Sequence, residues 1–166
     1  PRERKSPRLG GFDYSSRRWY FVTACALDRA PYFGALGPRG IRLSRAGEVV
    51  EEEWHHSASL RTDVVLDAFV VMPDHVHGLV GLINNSPGVA RSSLTGLLGT
   101  FKAAVTRRVH RLYPGKYGGL WQRSFHDSII RSHRHLENVR AYIHANPRKA
   151  WDAMIAARRS DHGRHA

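Results

Sequence analysis

The chain has 166 residues, 42% of them apolar, and a formal charge of +12 from 26 Lys and Arg against 14 Asp and Glu. That length supports one compact domain with a real core and is short for two. No apolar run approaches the roughly 20 residues of a membrane-spanning helix, and a single cysteine, Cys25, excludes an internal disulfide. No charged-then-apolar leader opens the chain, so a cytoplasmic protein in a reducing compartment is expected. The basic excess is mostly Arg, whose planar fork matches phosphate, and it points to a polyanionic partner, foremost nucleic acid.

Residues 1–18 read as a basic arm, 19–147 as the folded domain and 148–166 as a basic tail. "RRWYFVTACALD" (17–28) is aromatic and β-branched, the signature of a buried strand. Gly and Pro from 31 to 40 predict a loop. Ser44 caps a helix over 44–60, in which Val49, Val50, Glu53 and Trp54 recur at helical spacing. "DVVLDAFVVMPDHVHGLVGLI" (63–83) is too β-branched for a helix, and Pro73-Asp74 splits it into two strands. "NNSPG" (84–88) is a loop. Leu94, Leu97, Leu98, Phe101, Val105, Val109 and Leu112 form the apolar stripe of a long helix, 93–112, with Lys102, Arg107, Arg108 and Arg111 off that stripe. A strand over 120–131 and a helix over 133–146, stopped by Pro147, complete the order. The pattern is β-α-β-β-α-β plus a terminal helix. It predicts an α+β, ferredoxin-like split βαβ fold: an antiparallel sheet with helices on one face and a further C-terminal helix.

Two His-x-His pairs occur among eleven histidines, and chance placement gives about one, so the pattern alone proves nothing. Geometry separates them. His75 and His77 lie on a strand, where residues two apart project from the same face; Val76 then points into the core. Two imidazoles side by side can share a divalent ion. They are too few for a closed structural zinc site, but suit an open catalytic one. His133 and His135 open a helix, where residues two apart diverge. On the helix 133–146, Tyr142 and Asn146 share one flank of the stripe Leu136, Val139 and Ile143. Taken alone, Tyr142 is an aromatic at the edge of a core and Asn146 a helix-end residue. Nothing local singles Tyr142 out among six tyrosines.

"VMPDHVHGLV" followed by "YIHANP", together with "WYFVTACALDR", "GEVVEEEW", "FKAAVTRRV" and "LWQRSFHDSIIR" in that order, resembles the HUH single-tyrosine transposases. More narrowly, it resembles the REP-associated tyrosine transposases, over roughly residues 4–146. The resemblance implies that His75 and His77 are metal ligands, that Asn146 is the third, and that Tyr142 is the nucleophile. It further implies Mg²⁺ or Mn²⁺ as cofactor, single-stranded DNA with hairpins from palindromic repeats as substrate, and action as a monomer or homodimer. Imidazole is not the ligand Mg²⁺ most prefers, so Mn²⁺ is expected to support activity. This sequence departs from the family at Asp74, where Asn or Glu is common, and at Ser128, where many relatives carry His.

The expected chemistry is attack of Tyr142 on a scissile phosphate, giving a 5′-phosphotyrosine and a free 3′-hydroxyl. A second 3′ end then reverses the step. A phenol ordinarily keeps its proton to about pH 10, so a cation at hand is needed. Arg4, Lys5, Arg8, Arg17, Arg18, Lys102, Arg107, Arg108, Arg111 and Arg123 are the expected DNA contacts. Trp19, Tyr20, Trp121 and Phe125 can stack on bases only if they escape the core. Two rivals stay open: a catalytically silent single-strand binder of the same fold, and a metal hydrolase using water as nucleophile.

Overall fold

The computed structural model describes residues 18–83 and 92–162. Arg4, Lys5, Arg8 and Arg17 of the expected arm, and the loop 84–88, lie outside the described residues. Four strands form the main sheet: β1 (Arg18–Cys25), β4 (Val64–Met72), β5 (His75–Leu82) and β6 (His126–Ile129). Their order is β4-β5-β1-β6, every neighbouring pair antiparallel. This is the ferredoxin-like arrangement expected from the order of elements.

Two helices cover one face of the sheet. α1 (Arg45–Ser59) starts at Ser44, whose Oγ accepts from Gly47 N at 3.1 Å, and α2 (Leu94–Leu112) starts at Ser93, whose Oγ accepts from Gly96 N at 3.0 Å. Their apolar stripes meet Tyr20, Val22 and Ala24 of β1 and Val76 and Val80 of β5 in the main core, where Trp54, Phe101 and Leu98 are fully buried. The alternate residues of the same strands look the other way, because side chains change face at each step along a strand. There Trp19, Phe21 and Leu79 pack with Ile143, Leu136 and Val139 of a third helix, α3 (His133–His162), in a smaller core. The sheet is therefore covered on both faces, and the two histidine side chains of β5 lie on the α3 side.

Three elements depart from the sequence expectation. The Gly/Pro loop contains a short hairpin, β2 (Gly34–Gly37) and β3 (Gly40–Leu43), closed by Pro38-Arg39. Strand 120–131 is cut to β6. Trp121 bridges Ala26 and Gln122 N bonds Cys25 O, but the next register pair is Thr23 with His126. The chain thus leaves the edge of β1 over 123–125 while Phe125, 3% exposed, plugs the core. Finally, α3 does not stop at Pro147. Proline has no N–H for the Ile143 carbonyl, yet Trp151, Met154 and Ile155 continue a half-buried stripe and the helix reaches the β2–β3 hairpin. That packing offsets the missing hydrogen bond.

Candidate metal and nucleophile site

His75 and His77 converge as strand geometry demands. Their Nε2 atoms are 3.1 Å apart, and each Nδ1 is taken on its far side: His75 by Asp74 Oδ1 at 2.6 Å, His77 by Thr23 Oγ1 at 2.8 Å. Thr23 reaches His77 because the two residues are register partners between β1 and β5. Val76 between them is 1% exposed, on the opposite face. Ligand atoms about 2.1 Å from one ion and at right angles are about 3.0 Å apart, so the pair fits a shared divalent cation.

Burial pushes His77 down to about 4, with His75 beside it adding to the shift. Burial also lowers His75, opposed by Asp74. Both rings are therefore neutral at neutral pH and have lone pairs to offer.

Tyr142 joins them from α3. Its ring centroid is 5.5 Å from that of His77 and 5.9 Å from Phe21, while Phe21 and His77 are 5.2 Å apart, a closed aromatic triangle. Ile143 beside it is wholly buried and anchors this turn of α3, which leaves Tyr142 42% exposed at the edge of the contact. Asn146 lies one turn further on, half-buried. Among the described residues no three His, Cys, Asp or Glu side chains cluster as a metal site.

Because α3 continues through Pro147, Lys149 falls two turns after Tyr142, with Nζ 6.0 Å from the tyrosine ring centroid. Sequence reading missed this residue by ending the helix at Pro147; the spacing of Trp151, Met154 and Ile155 was the available signal. It also missed Asp74 and Thr23 as partners of the imidazoles, and Arg29, whose Nε sits 2.9 Å from Asp74 Oδ2.

The expected DNA contacts scatter. Lys102 donates to the carbonyls of Gln122 at 2.5 Å and Arg123 at 3.3 Å, holding the irregular segment before β6. Arg108 pairs with Glu53 at 2.8 Å and with Glu52. Arg107 and Arg111 are exposed and line, with Arg61 and Arg108, a groove of about 590 Å³ between α1 and α2. That groove is on the helical face opposite the His pair. Arg18 and Arg123 are exposed, at the start of β1 and before β6. Tyr20 and Phe125 are core residues and offer bases no face; Trp121 packs on Phe33 and Phe101, and Trp19 is half-buried. The second histidine pair does not converge: His133 is exposed beside Glu137 at 3.7 Å, while His135 Nδ1 accepts from Arg131 N at 3.3 Å.

The model for IS200-like transposases matches residues 46–146, well over half of the chain and including both histidines, Tyr142 and Asn146. The chain belongs to the IS200-like transposase family. An uncharacterized protein of Haemophilus influenzae is 29% identical over 160 residues, covering 87% of this chain and 88% of that protein. Among solved structures, a REP-associated tyrosine transposase bound to a REP hairpin superposes with a TM-score of 0.63 at 17% identity, covering 87% of this chain and 74% of that one. A transposase-like protein from Deinococcus radiodurans R1 gives 0.50 at 20% identity over 82% and 96% of the two chains. At such identities the two structures establish only the fold they share with this chain. Among its described residues, no helix is long and apolar enough to cross a membrane.

Proposed function

We propose that this IS200-like transposase is a metal-dependent single-stranded DNA endonuclease and strand transferase acting at DNA hairpins through a 5′-phosphotyrosine on Tyr142. One observation carries the reading: two neutral imidazoles turn Nε2 atoms 3.1 Å apart toward a common point, and the ring of Tyr142 packs 5.5 Å from one of them. Nucleophile and imidazoles come from the same chain, so the reading places the site in cis. His75, His77 and Asn146 would hold a divalent ion, Mg²⁺ or Mn²⁺, which would supply Lewis-acid stabilisation of charge developing on the scissile phosphate.

The side chains of the protein do the rest. Tyr142 Oη forms the new bond to phosphorus as the bond to O3′ breaks; the phenolic proton is given up and the departing O3′ takes one up. One phosphodiester is exchanged for another, so no ATP is required and a second 3′-hydroxyl can reverse the step. The Lys149 ammonium, 6.0 Å from the Tyr142 ring centroid, sets positive charge beside the nucleophile, where negative charge develops in the transition state. Ile143 and the Phe21 edge hold the tyrosine ring against the pair, limiting the orientations it must search.

The charge of +12 supplies the sequence-independent attraction for DNA, and Arg18, Arg107, Arg111 and Arg123 remain exposed for phosphate contacts. A hairpin substrate is inferred from the REP hairpin held by the structurally similar transposase. The reaction is expected in the cytoplasm, where the DNA is.

The test is incubation of a 3′-labelled hairpin oligonucleotide with single-stranded flanks, with Mn²⁺ or Mg²⁺, followed by a denaturing gel. A labelled protein adduct that needs metal, His75 and Tyr142 supports the reading. Free cleaved DNA that persists in Tyr142→Phe indicates a hydrolase, and tight binding of intact DNA under every metal indicates a silent binder.

A further inference from the structure

The two imidazoles are not equivalent in their surroundings. An ionised carboxylate only accepts hydrogen bonds, so the 2.6 Å contact with Asp74 Oδ1 puts the proton of His75 on Nδ1 and a lone pair on Nε2. The other oxygen of Asp74 is gripped by Arg29 Nε at 2.9 Å. Arg29 and Asp28 both adopt left-handed backbone angles, φ 56° and 53°, a conformation that non-glycine residues hold only where the surroundings enforce it. This turn brings the guanidinium back onto Asp74 and onto Cys25 Sγ, 2.9 Å from Nη1. His75 is thus fixed by a chain of charged partners.

His77 faces a hydroxyl instead. Thr23 Oγ1, 2.8 Å from Nδ1, can donate or accept. With a lone pair fixed on His75 Nε2, the 3.1 Å separation is a hydrogen bond only if His77 carries its proton on Nε2. Without a cation, the chain then runs from Thr23 Oγ1–H to His77 Nδ1, from His77 Nε2–H to His75 Nε2, and from His75 Nδ1–H to Asp74. A cation needs both Nε2 lone pairs.

We propose that Asp74 and Thr23 are positioning residues with opposite roles: Asp74 locks His75 in its Nδ1–H tautomer, and Thr23 lets His77 change tautomer when a cation enters. In that change the Nε2 proton of His77 passes to water, Nδ1 takes one from water and keeps it, the new Nδ1–H donates a hydrogen bond to Thr23 Oγ1, and the hydroxyl hydrogen rotates away. The number of protons on the ring is unchanged. The cation half of this inference rests on His75 and His77 being the metal ligands; the metal-free tautomers do not.

Side-chain ¹⁵N spectra of the histidines report each tautomer directly. In the full chain without metal, His75 is expected as Nδ1–H and His77 as Nε2–H; with Zn²⁺ as a diamagnetic probe, both become Nδ1–H. Asp74→Ala should release the His75 tautomer and weaken Mn²⁺ binding, read by electron paramagnetic resonance, by about 10–100-fold. Asp74→Asn, whose carboxamide oxygen still accepts, should restore both. Thr23→Val should weaken Mn²⁺ binding while Thr23→Ser retains it. A His75 tautomer indifferent to Asp74→Ala, or a His77 already Nδ1–H without metal, overturns the proposal. If the metal-free tautomers are as stated but the protein binds neither Mn²⁺ nor Zn²⁺, the metal reading falls and the assignment of the two partners stands.

Discussion

Gly78 follows His77 on β5 and faces the opposite way, against α1. A Cβ added there would lie 2.5 Å from Trp54 Cζ2 and 2.7 Å from Cη2. Carbon atoms in contact sit about 3.5–4.0 Å apart, so roughly 1 Å of retreat is needed. Trp54 cannot supply it. It is fully buried, stacked on Phe69 at 4.4 Å and set edge-on to Phe101 at 5.4 Å. Overpacking of this kind costs about 1–3 kcal/mol, against about 0.4–1 kcal/mol recovered from the less flexible unfolded chain of an alanine variant. Gly78→Ala is therefore expected to destabilise the protein by about 1–2 kcal/mol net, measured by urea unfolding with tryptophan fluorescence and far-ultraviolet circular dichroism. Combined with Trp54→Phe, which removes the indole carbons in the way, the penalty should shrink by at least about 1 kcal/mol in a double-mutant cycle. A penalty below about 0.5 kcal/mol, or one unchanged in the Trp54→Phe background, would refute the packing argument.

Ile143→Ala removes the side chain that, among the described residues of α3, is alone wholly buried. It should cost about 2–5 kcal/mol in urea unfolding and speed hydrogen exchange in α3 before the sheet. Acid should destabilise the protein in two stages. His77, about 4 when folded against 6.5 in the free side chain, binds fewer protons folded than unfolded between those values, so stability falls as pH drops from 6.5 to 4. Asp67, held below its ordinary range chiefly by the Arg140 guanidinium, adds a further loss below pH 3.8. His77→Gln should flatten the first stage; a urea midpoint equal at pH 7 and pH 4.5 in the parent protein would contradict it. Arg107→Ala with Arg111→Ala, both exposed in the α1–α2 groove, should lower the slope of log binding constant against log salt for hairpin DNA by about 1.4–1.8. An unchanged slope removes that groove from the DNA path.

Much of the fold was legible because its elements carry strong local periodicity. The stripe of α2, the Ser44 cap and the turn at Pro73-Asp74 are all written in runs shorter than 20 residues. What was not legible depends on partners distant in sequence. Residues 120–131 look like one strand, but only the register with β1 shows that 123–125 leave the edge so that Phe125 can fill the core. Pro147 is a helix stop by local rule; contact of α3 with the β2–β3 hairpin overrides it. The site divides in the same way. Strand alternation was enough to pair His75 with His77, and helix geometry to reject His133 with His135. Thr23 and Arg29 reach the site across a strand pair and through a left-handed turn, and no spacing in the sequence announces either; Lys149 reaches it past a proline, announced only by the stripe Trp151, Met154 and Ile155.

The most direct measurement is the chemical identity of the residue joined to DNA. After reaction with a hairpin oligonucleotide and Mn²⁺, nuclease trimming and trypsin digestion, mass spectrometry should find a nucleotide-phosphate adduct on the peptide 141–148, localised to Tyr142. An adduct on another tyrosine, or cleaved DNA with this peptide unmodified at every time point, would contradict a mechanism in which the phenol of α3 attacks beside the His75–His77 pair.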